Sequence, residues 1–247
     1  MVKPFEIRHE VVFAYYRSWP SSCIMSHGEY NMKIGIIGAG YIGRAVATLA
    51  ARHGHDVMIS NSRSPKSLFS IANTIGVKAG TAAEAASFGD IVLIAVPLFA
   101  YEDLPLAALE GKIVLDAGNY YAARDGEVAA LDRNQTTTSG ILAELLPESR
   151  VVKAFNAILA ADIEPDARPN GAVDRRALPI SGDDADAKKA VAAFIDDLGF
   201  DVLDAGALVE GWRFQAGMPG YCVRMNYDQL RQALVGAEAV KSPPAHS

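Results

Sequence analysis

The apolar run Lys33-Ile34-Gly35-Ile36-Ile37 ends in a glycine turn, Gly38-Ala39-Gly40-Tyr41-Ile42-Gly43, and an alanine-rich amphipathic stretch follows at once. Few folds let a strand feed a helix through this spacing. Gly38 permits the tight turn, Gly40 lets a pyrophosphate approach the backbone, and Gly43 lets the helix pack closely on the strand. The helix start at Tyr41 and Ile42 then offers free N–H groups and a partial positive charge to an anion. As a bare pattern of glycines the motif is weak; the strand before it and the helix after it give it meaning. The expectation is a dinucleotide-binding unit.

About twenty residues past such a motif, an NAD-binding chain usually carries an acid that accepts from the ribose hydroxyls. This chain has Ser60-Asn61-Ser62-Arg63 there, with Lys66 close behind, and Asp56 stands at the wrong end of its run. A carboxylate would repel a 2′-phosphate, whereas Ser62 donates to it and Arg63 pairs with it through a forked guanidinium. The expected cofactor is therefore NADP(H), held by Gly38, Gly40, Tyr41, Ile42, Gly43, Asn61, Ser62, Arg63 and Lys66. A solvated polar turn is the plainer reading of the second group.

From Met32 onward, β-branched runs alternate with alanine-rich helical stretches, the pattern of an α/β parallel sheet. Strands are expected at Lys33–Ile37, Asp56–Ser60, Val77–Ala79, Asp90–Val96, Lys112–Asp116, Arg150–Phe155, Ala177–Ile180 and Asp201–Asp204. Helices are expected at Tyr41–His53, Thr81–Ser87, Ala185–Leu198 and Tyr221–Glu238, with another opened by Ser64-Pro65. A break rich in Pro, Asn and Gly covers Pro165–Asp174. The fold class is a Rossmann-type doubly wound parallel sheet with a small C-terminal helical extension. Residues 32–160 form the NADP-binding domain, and 161–240 form a smaller portion for the acceptor or for oligomerisation. Residues 1–31 read as an N-terminal extension, with Met32 or Met25 as the native start, and 241–247 as a frayed tail. Ligands of such sheets bind beyond the carboxyl ends of the strands. Val96 and Pro97 should therefore flank the nicotinamide ribose, and Asn119 and Asn156 should face the same crevice.

The net charge of −6 and the absence of a basic cluster argue against a nucleic-acid surface. No apolar run approaches the length of a membrane span. The cysteines Cys23 and Cys222 form no metal-ligand spacing, so no metal is expected and a cytoplasmic location is the simplest reading.

Several segments resemble the coenzyme F420-dependent NADP oxidoreductases. They are Met32-Lys33-Ile34-Gly35-Ile36-Ile37-Gly38, the Asn61-Ser62-Arg63 turn, Val96-Pro97, Val152-Lys153-Ala154-Phe155-Asn156, Ile180-Ser181-Gly182-Asp183-Asp184 and Gly199 to Leu208. The likeness runs in order from Met32 to Leu208. It implies an N-terminal NADP site, a deazaflavin (F420) docked against the nicotinamide over a small C-terminal portion, and hydride passing directly between the rings. The related reductase domains of ferric-reducing membrane proteins use the same NADPH fold with a flavin. From Val209 to Tyr221 the chain departs from the ending of F420 reductases and resembles a bacterial side branch.

None of the five histidines lies in the half expected to carry substrate, and no Tyr-x-x-x-Lys pair marks a carbonyl reductase. No catalytic side chain is assigned. Tyr120-Tyr121 could donate a proton, and Lys153 could orient or protonate a substrate; both also read as packing residues. Lys153, Asn156 and Trp212 are the substrate-side candidates, and Trp212, Phe214, Met218 and Tyr221 could wall an acceptor pocket. The expected activity is hydride transfer between NADP(H) and a small acceptor such as a deazaflavin or flavin, by a homodimer. The alternatives are a non-catalytic NADP(H)-binding redox sensor and a reductase of a small carbonyl or imine compound.

Overall fold

The computed structural model describes residues 31–241; the expected leader up to Tyr30 and the tail past Lys241 lie outside them. The strands are β1 (Lys33–Ile37), β2 (Asp56–Ser60), β3 (Lys78–Ala79), β4 (Ile91–Ile94), β5 (Ile113–Asp116), β6 (Arg150–Lys153), β7 (Ala177–Gly182) and β8 (Asp201–Asp204). They form one sheet in the order β3-β2-β1-β4-β5-β6-β7-β8. The principal helices are α1 (Tyr41–Arg52), α2 (Phe69–Ile75), α3 (Ala82–Phe88), α4 (Thr138–Leu145), α5 (Ala160–Asp166), α6 (Ala185–Asp197) and α7 (Tyr227–Lys241). Single helical turns punctuate the loops between β4 and α4.

The central strands are covered on both faces, which is why they read as near-continuous apolar runs: every residue of β4 is buried. One face packs against α1 and α6 through Val46, Leu49, Val191 and Phe194. The other packs against α3 and α4 through Ala86, Leu142 and Leu146. The α3 backbone lies almost on β1, for a Cβ added at Gly35 would stand 2.0 Å from the Ala85 carbonyl oxygen. A capping box between Thr81 and Glu84 starts that helix.

Four expectations need correction. The sheet is not wholly parallel, since β7 runs antiparallel to β6 with Lys153 opposite Ser181. The fourth strand stops at Ile94, which leaves Val96 and Pro97 in the loop beyond it. Pro165 lies inside α5 and does not begin the break. The last helix starts at Tyr227 and not at Tyr221. Asn226 accepts from the Gln229 N–H at 3.0 Å while Gln229 accepts from the Asn226 N–H at 3.0 Å, a reciprocal cap that fixes the start. Sequence periodicity also missed α4, which Thr137 opens by accepting from the Gly140 N–H.

Candidate active site: the crevice at the carboxyl edge

The carboxyl ends of four strands share one row, because Ile37 pairs with Ile94, Ile94 with Asp116, and Asp116 with Lys153. The loops leaving that row start at Gly38, Ala95, Ala117 and Ala154, and all rise from one rim. The chain winds away in opposite directions from β1 and β4, so the crevice between these strands is the topological switch point.

The glycine turn is built for an occupant. Gly38 has φ +115°, and a Cβ there would meet the Ala95 carbonyl oxygen at 2.4 Å. At Gly43 a Cβ would lie 1.9 Å from the Gly38 carbonyl oxygen. These two glycines are needed by the protein itself. Gly40 is different: nothing lies within 4 Å of a Cβ added there, although the position caps α1. No side chain caps that helix and no acid stands in its first turn. The N-terminal N–H groups and the positive end of the helix dipole are thus left for an anion. Arg44 Nε donates to the Ala39 carbonyl at 2.7 Å and braces the loop from behind.

At the end of β2, Ser60 is buried and donates to the Ile36 carbonyl at 3.0 Å. Asn61 serves the turn itself, accepting from the Arg63 N–H at 3.0 Å and donating to Ser67 at 2.9 Å. Ser62, Arg63 and Lys66 are exposed, and among the described residues no acid pairs with either cation. Of the four residues expected at a 2′-phosphate, Asn61 therefore shapes the loop and the other three have free heads. The cradle at Gly40 and these unopposed groups fit NADP(H).

On the other side of the crevice, Val96 and Pro97 are half-buried beyond β4. Asn119 Nδ2 donates to the Asn156 carbonyl at 2.9 Å, and Asn156 Nδ2 donates to Asn119 Oδ1 at 3.2 Å and to the Phe214 carbonyl at 3.0 Å. A cavity of about 110 Å³ beside them is lined by Asn119, Tyr120, Leu131, Thr136, Thr138, Gln215 and Ala216.

Lys153 is not where a substrate ligand should be. Its side chain is 1% exposed, and Nζ donates to the Gly118 carbonyl at 2.9 Å, Thr138 at 2.9 Å and Ser139 at 3.1 Å, with Asp116 at 3.4 Å. Burial pushes its pKa down, and the Asp116 charge opposes that shift. The ammonium is spent on protein partners because β6 points it under the loop and not into the crevice. Asp116 completes the frame by accepting from Tyr101, the Gly118 N–H and Ser139. The sequence reading missed Tyr101, Asp116, Thr138 and Ser139. Thr136-Thr137-Thr138-Ser139 ahead of an apolar run was the available sign of a capped helix.

Trp212 lies in the 3₁₀ stretch Leu208–Phe214, with the Arg213 guanidinium 4.7 Å from its ring centre, and does not line that cavity. Phe214 is fully buried against Leu230 and Leu234, so it is core. The Tyr120 hydroxyl is held by Asp132 at 2.7 Å and by the Gly126 carbonyl at 3.1 Å. The Tyr121 hydroxyl is hydrogen-bonded to that of Tyr221, which ties the loop after β5 to the segment before α7. Among the described residues no cluster of His, Cys, Asp and Glu is arranged to hold a metal, and no helix is long and apolar enough to cross a membrane.

Comparison with known proteins agrees with this geometry. The family described as NADP oxidoreductase, coenzyme F420-dependent, matches residues 33–120. A hypothetical protein from Sinorhizobium meliloti is 34% identical, with a TM-score of 0.70 over 80% of this chain and 96% of that one. A candidate F420-dependent NADP reductase from Arthrobacter sp. FB24 is 28% identical, with a TM-score of 0.63 over 73% of this chain and 87% of that one. Metalloreductase STEAP3 of Rattus norvegicus is 31% identical over 186 residues, which is 74% of this chain but only 36% of the rat protein. Motifs, sheet and relatives agree, and residues 33–120 carry the segment described as NADP oxidoreductase, coenzyme F420-dependent.

Proposed function

We propose that the protein binds NADP(H) across the crevice between β1 and β4 and passes hydride to a small acceptor of the deazaflavin or flavin class beyond β5 and β6. Gly38, Gly40, Tyr41, Ile42 and Gly43 receive the pyrophosphate, and Ser62, Arg63 and Lys66 receive the 2′-phosphate around the turn that Asn61 shapes. Val96, Pro97 and Asn119 flank the nicotinamide end. The open, uncapped and acid-free helix start at Gly40 is the observation that carries this reading. When bound, NADPH supplies the hydride. The chain supplies orientation and exclusion of water, because the Lys153 ammonium and the Tyr120 hydroxyl are already spent on protein partners.

Gln215 and Ala216, from the portion 161–240, join Asn119, Tyr120, Leu131, Thr136 and Thr138 in lining the cavity beside the crevice, which supports an acceptor held between the two portions. The name of the rat relative adds metal chelates to the candidate acceptors. Oxidation of NADPH should be followed with F420, FMN, FAD, quinones and ferric chelates. Turnover with at least one of them is expected. Tight NADPH binding with no turnover across the panel would reject the enzymatic reading in favour of a redox sensor. A homodimer is the expected assembly, and sedimentation of the full chain as a monomer would reject it.

A further inference from the structure

The cavity of about 110 Å³ beside Asn119 has no charged side chain in its wall. Three of its polar groups are spent within the protein: Asn119 on Asn156, the Tyr120 hydroxyl on Asp132, and Thr138 on the Lys153 ammonium. Two are not. The Thr136 hydroxyl and the Gln215 carboxamide are half-buried and make no hydrogen bond among the described residues. Both residues are nonetheless held. Thr136 Oγ1 sits over Gly140, where an added Cβ would meet it at 2.5 Å. Gln215 is fixed through its backbone, whose N–H donates to the Trp212 carbonyl at 3.4 Å and whose carbonyl accepts from the Met218 N–H at 3.1 Å. The Phe214 carbonyl before it is gripped by Asn156 at 3.0 Å. Two solvent-accessible polar heads, from distant segments of the chain, therefore line one cavity.

The size and chemistry of the wall define what fits. A cavity of about 150 Å³ admits a benzene ring, so this smaller one takes the edge of a ring and not a fused ring system. A charged group would lose its water there without a counter-ion. A carboxamide offers a donor and an acceptor side by side, and a hydroxyl offers either. The complement is a neutral group in which an N–H lies next to a carbonyl. We propose that the cavity recognises an imide edge, –CO–NH–CO–, on the hydride acceptor: Gln215 Oε1 accepts from the imide N–H, Gln215 Nε2 donates to one carbonyl, and Thr136 Oγ1 donates to the other. The inference rests on the acceptor reading above and narrows it. Flavins and deazaflavins carry such an edge, whereas a quinone has carbonyls without the N–H and an anionic ferric chelate brings a charge. With the edge seated, the remaining rings lie outside the cavity, in the crevice that the same reading gives to the nicotinamide. Because both backbones are already held, only two side chains need ordering on binding.

The test follows NADPH oxidation by lumiflavin and by 5-deazalumiflavin, each beside the same compound methylated at the imide nitrogen. The wild-type protein is expected to favour the unmethylated form in kcat/KM by roughly tenfold or more, because a site built to meet a donor rejects a ligand without one. In Gln215→Ala, which removes the carboxamide and leaves room for the methyl, the preference should collapse to near equality. Gln215→Met is the second variant and should behave alike; thermal melting identifies a variant that has not folded. Thr136→Val should lower kcat/KM for the unmethylated form by roughly three- to tenfold and keep the preference, because Thr136 meets a carbonyl that methylation leaves in place. Equal wild-type rates with the two forms overturn the proposal whatever the variants do. A preference that survives in a folded Gln215 variant overturns it too, as does a Thr136→Val protein that matches the wild type. If NADPH binds and none of these compounds oxidises it, the acceptor reading falls and takes this inference with it. If methylated and unmethylated forms oxidise it equally well, that reading stands and this inference alone falls.

Discussion

Lys153 and Asp116 are register partners on neighbouring strands, and their charges meet 3.4 Å apart with side chains 1% and 0% exposed. Between them they hold both ends of one residue. Asp116 accepts from the Gly118 N–H at 2.8 Å, and Lys153 donates to the Gly118 carbonyl at 2.9 Å. Gly118 cannot be larger, since a Cβ there would lie 2.0 Å from the Tyr101 hydroxyl. The next residue is Asn119. The buried pair is therefore the anchor of the loop that faces the crevice.

Removing one partner should be costly. Lys153→Met leaves Asp116 charged, buried and uncompensated, with an expected loss of about 3–5 kcal/mol in urea denaturation. Replacing both, as Lys153→Met with Asp116→Leu, should not restore stability. Tyr101 and the Gly118 N–H would then lack partners and the Gly118 carbonyl would keep only Thr138 at 3.4 Å, so a deficit of about 2 kcal/mol or more should remain. Full recovery of stability in the double variant would show that the network contributes no more than its charges.

The glycines of the turn should separate into two kinds. Gly43→Ala forces a Cβ onto the Gly38 carbonyl and should lower both Tm and NADPH affinity. Gly40→Ala meets nothing in the protein and should melt like the wild type, within about 0.5 kcal/mol. Its NADPH affinity should nonetheless fall by about tenfold, because the methyl stands where the pyrophosphate approaches. Unchanged binding in a normally folded Gly40→Ala protein would remove the cradle from the argument.

Arg63 should set the choice between the two nicotinamide cofactors. Arg63→Ala removes a charge-assisted partner of the 2′-phosphate, which is worth about 1.5–3 kcal/mol. kcat/KM for NADPH should drop by roughly tenfold or more while that for NADH stays level. Ser62→Asp should go further by placing a negative charge at the same phosphate. A parallel loss with both cofactors would mean that Arg63 supports the loop and not the phosphate.

His55 should make stability depend on pH. It is buried, accepts from the Met32 N–H at Nδ1 and lies 3.0 Å from Asp197 at Nε2. Burial lowers its pKa below 6.5, outweighing the upward pull of Asp197. The unfolded chain then binds more protons than the folded one between the two values. The stabilising contribution is complete above about pH 6.5 and is lost as pH falls through the folded value. Tm should decline as the pH falls below about 6.5, and the part of that decline due to this ring should vanish in His55→Gln. An equal decline in the variant would assign the effect to other groups.

The glycine spacing, the buried run of β4 and the missing acid after β2 were legible in the chain itself. Each is a local demand: a turn that only glycine tolerates, a strand covered on both faces, a charge that must not oppose a phosphate. Those demands were enough to set the doubly wound core, the carboxyl-edge crevice and the NADP(H) side of it. Tertiary structure alone decided what lines the far side of the crevice. Asp116 and Lys153 are 37 residues apart in the chain and become a pair only because β5 and β6 are adjacent in register. Tyr121 and Tyr221 meet across 100 residues, and Asn156 reaches Phe214 across 58. A lysine at a strand end reads from sequence as a group offered to a ligand; packing turned it inward and satisfied it. The same packing left the Asn156 oxygen unsatisfied, because the bonds that fix its amide come from two segments that no local pattern joins.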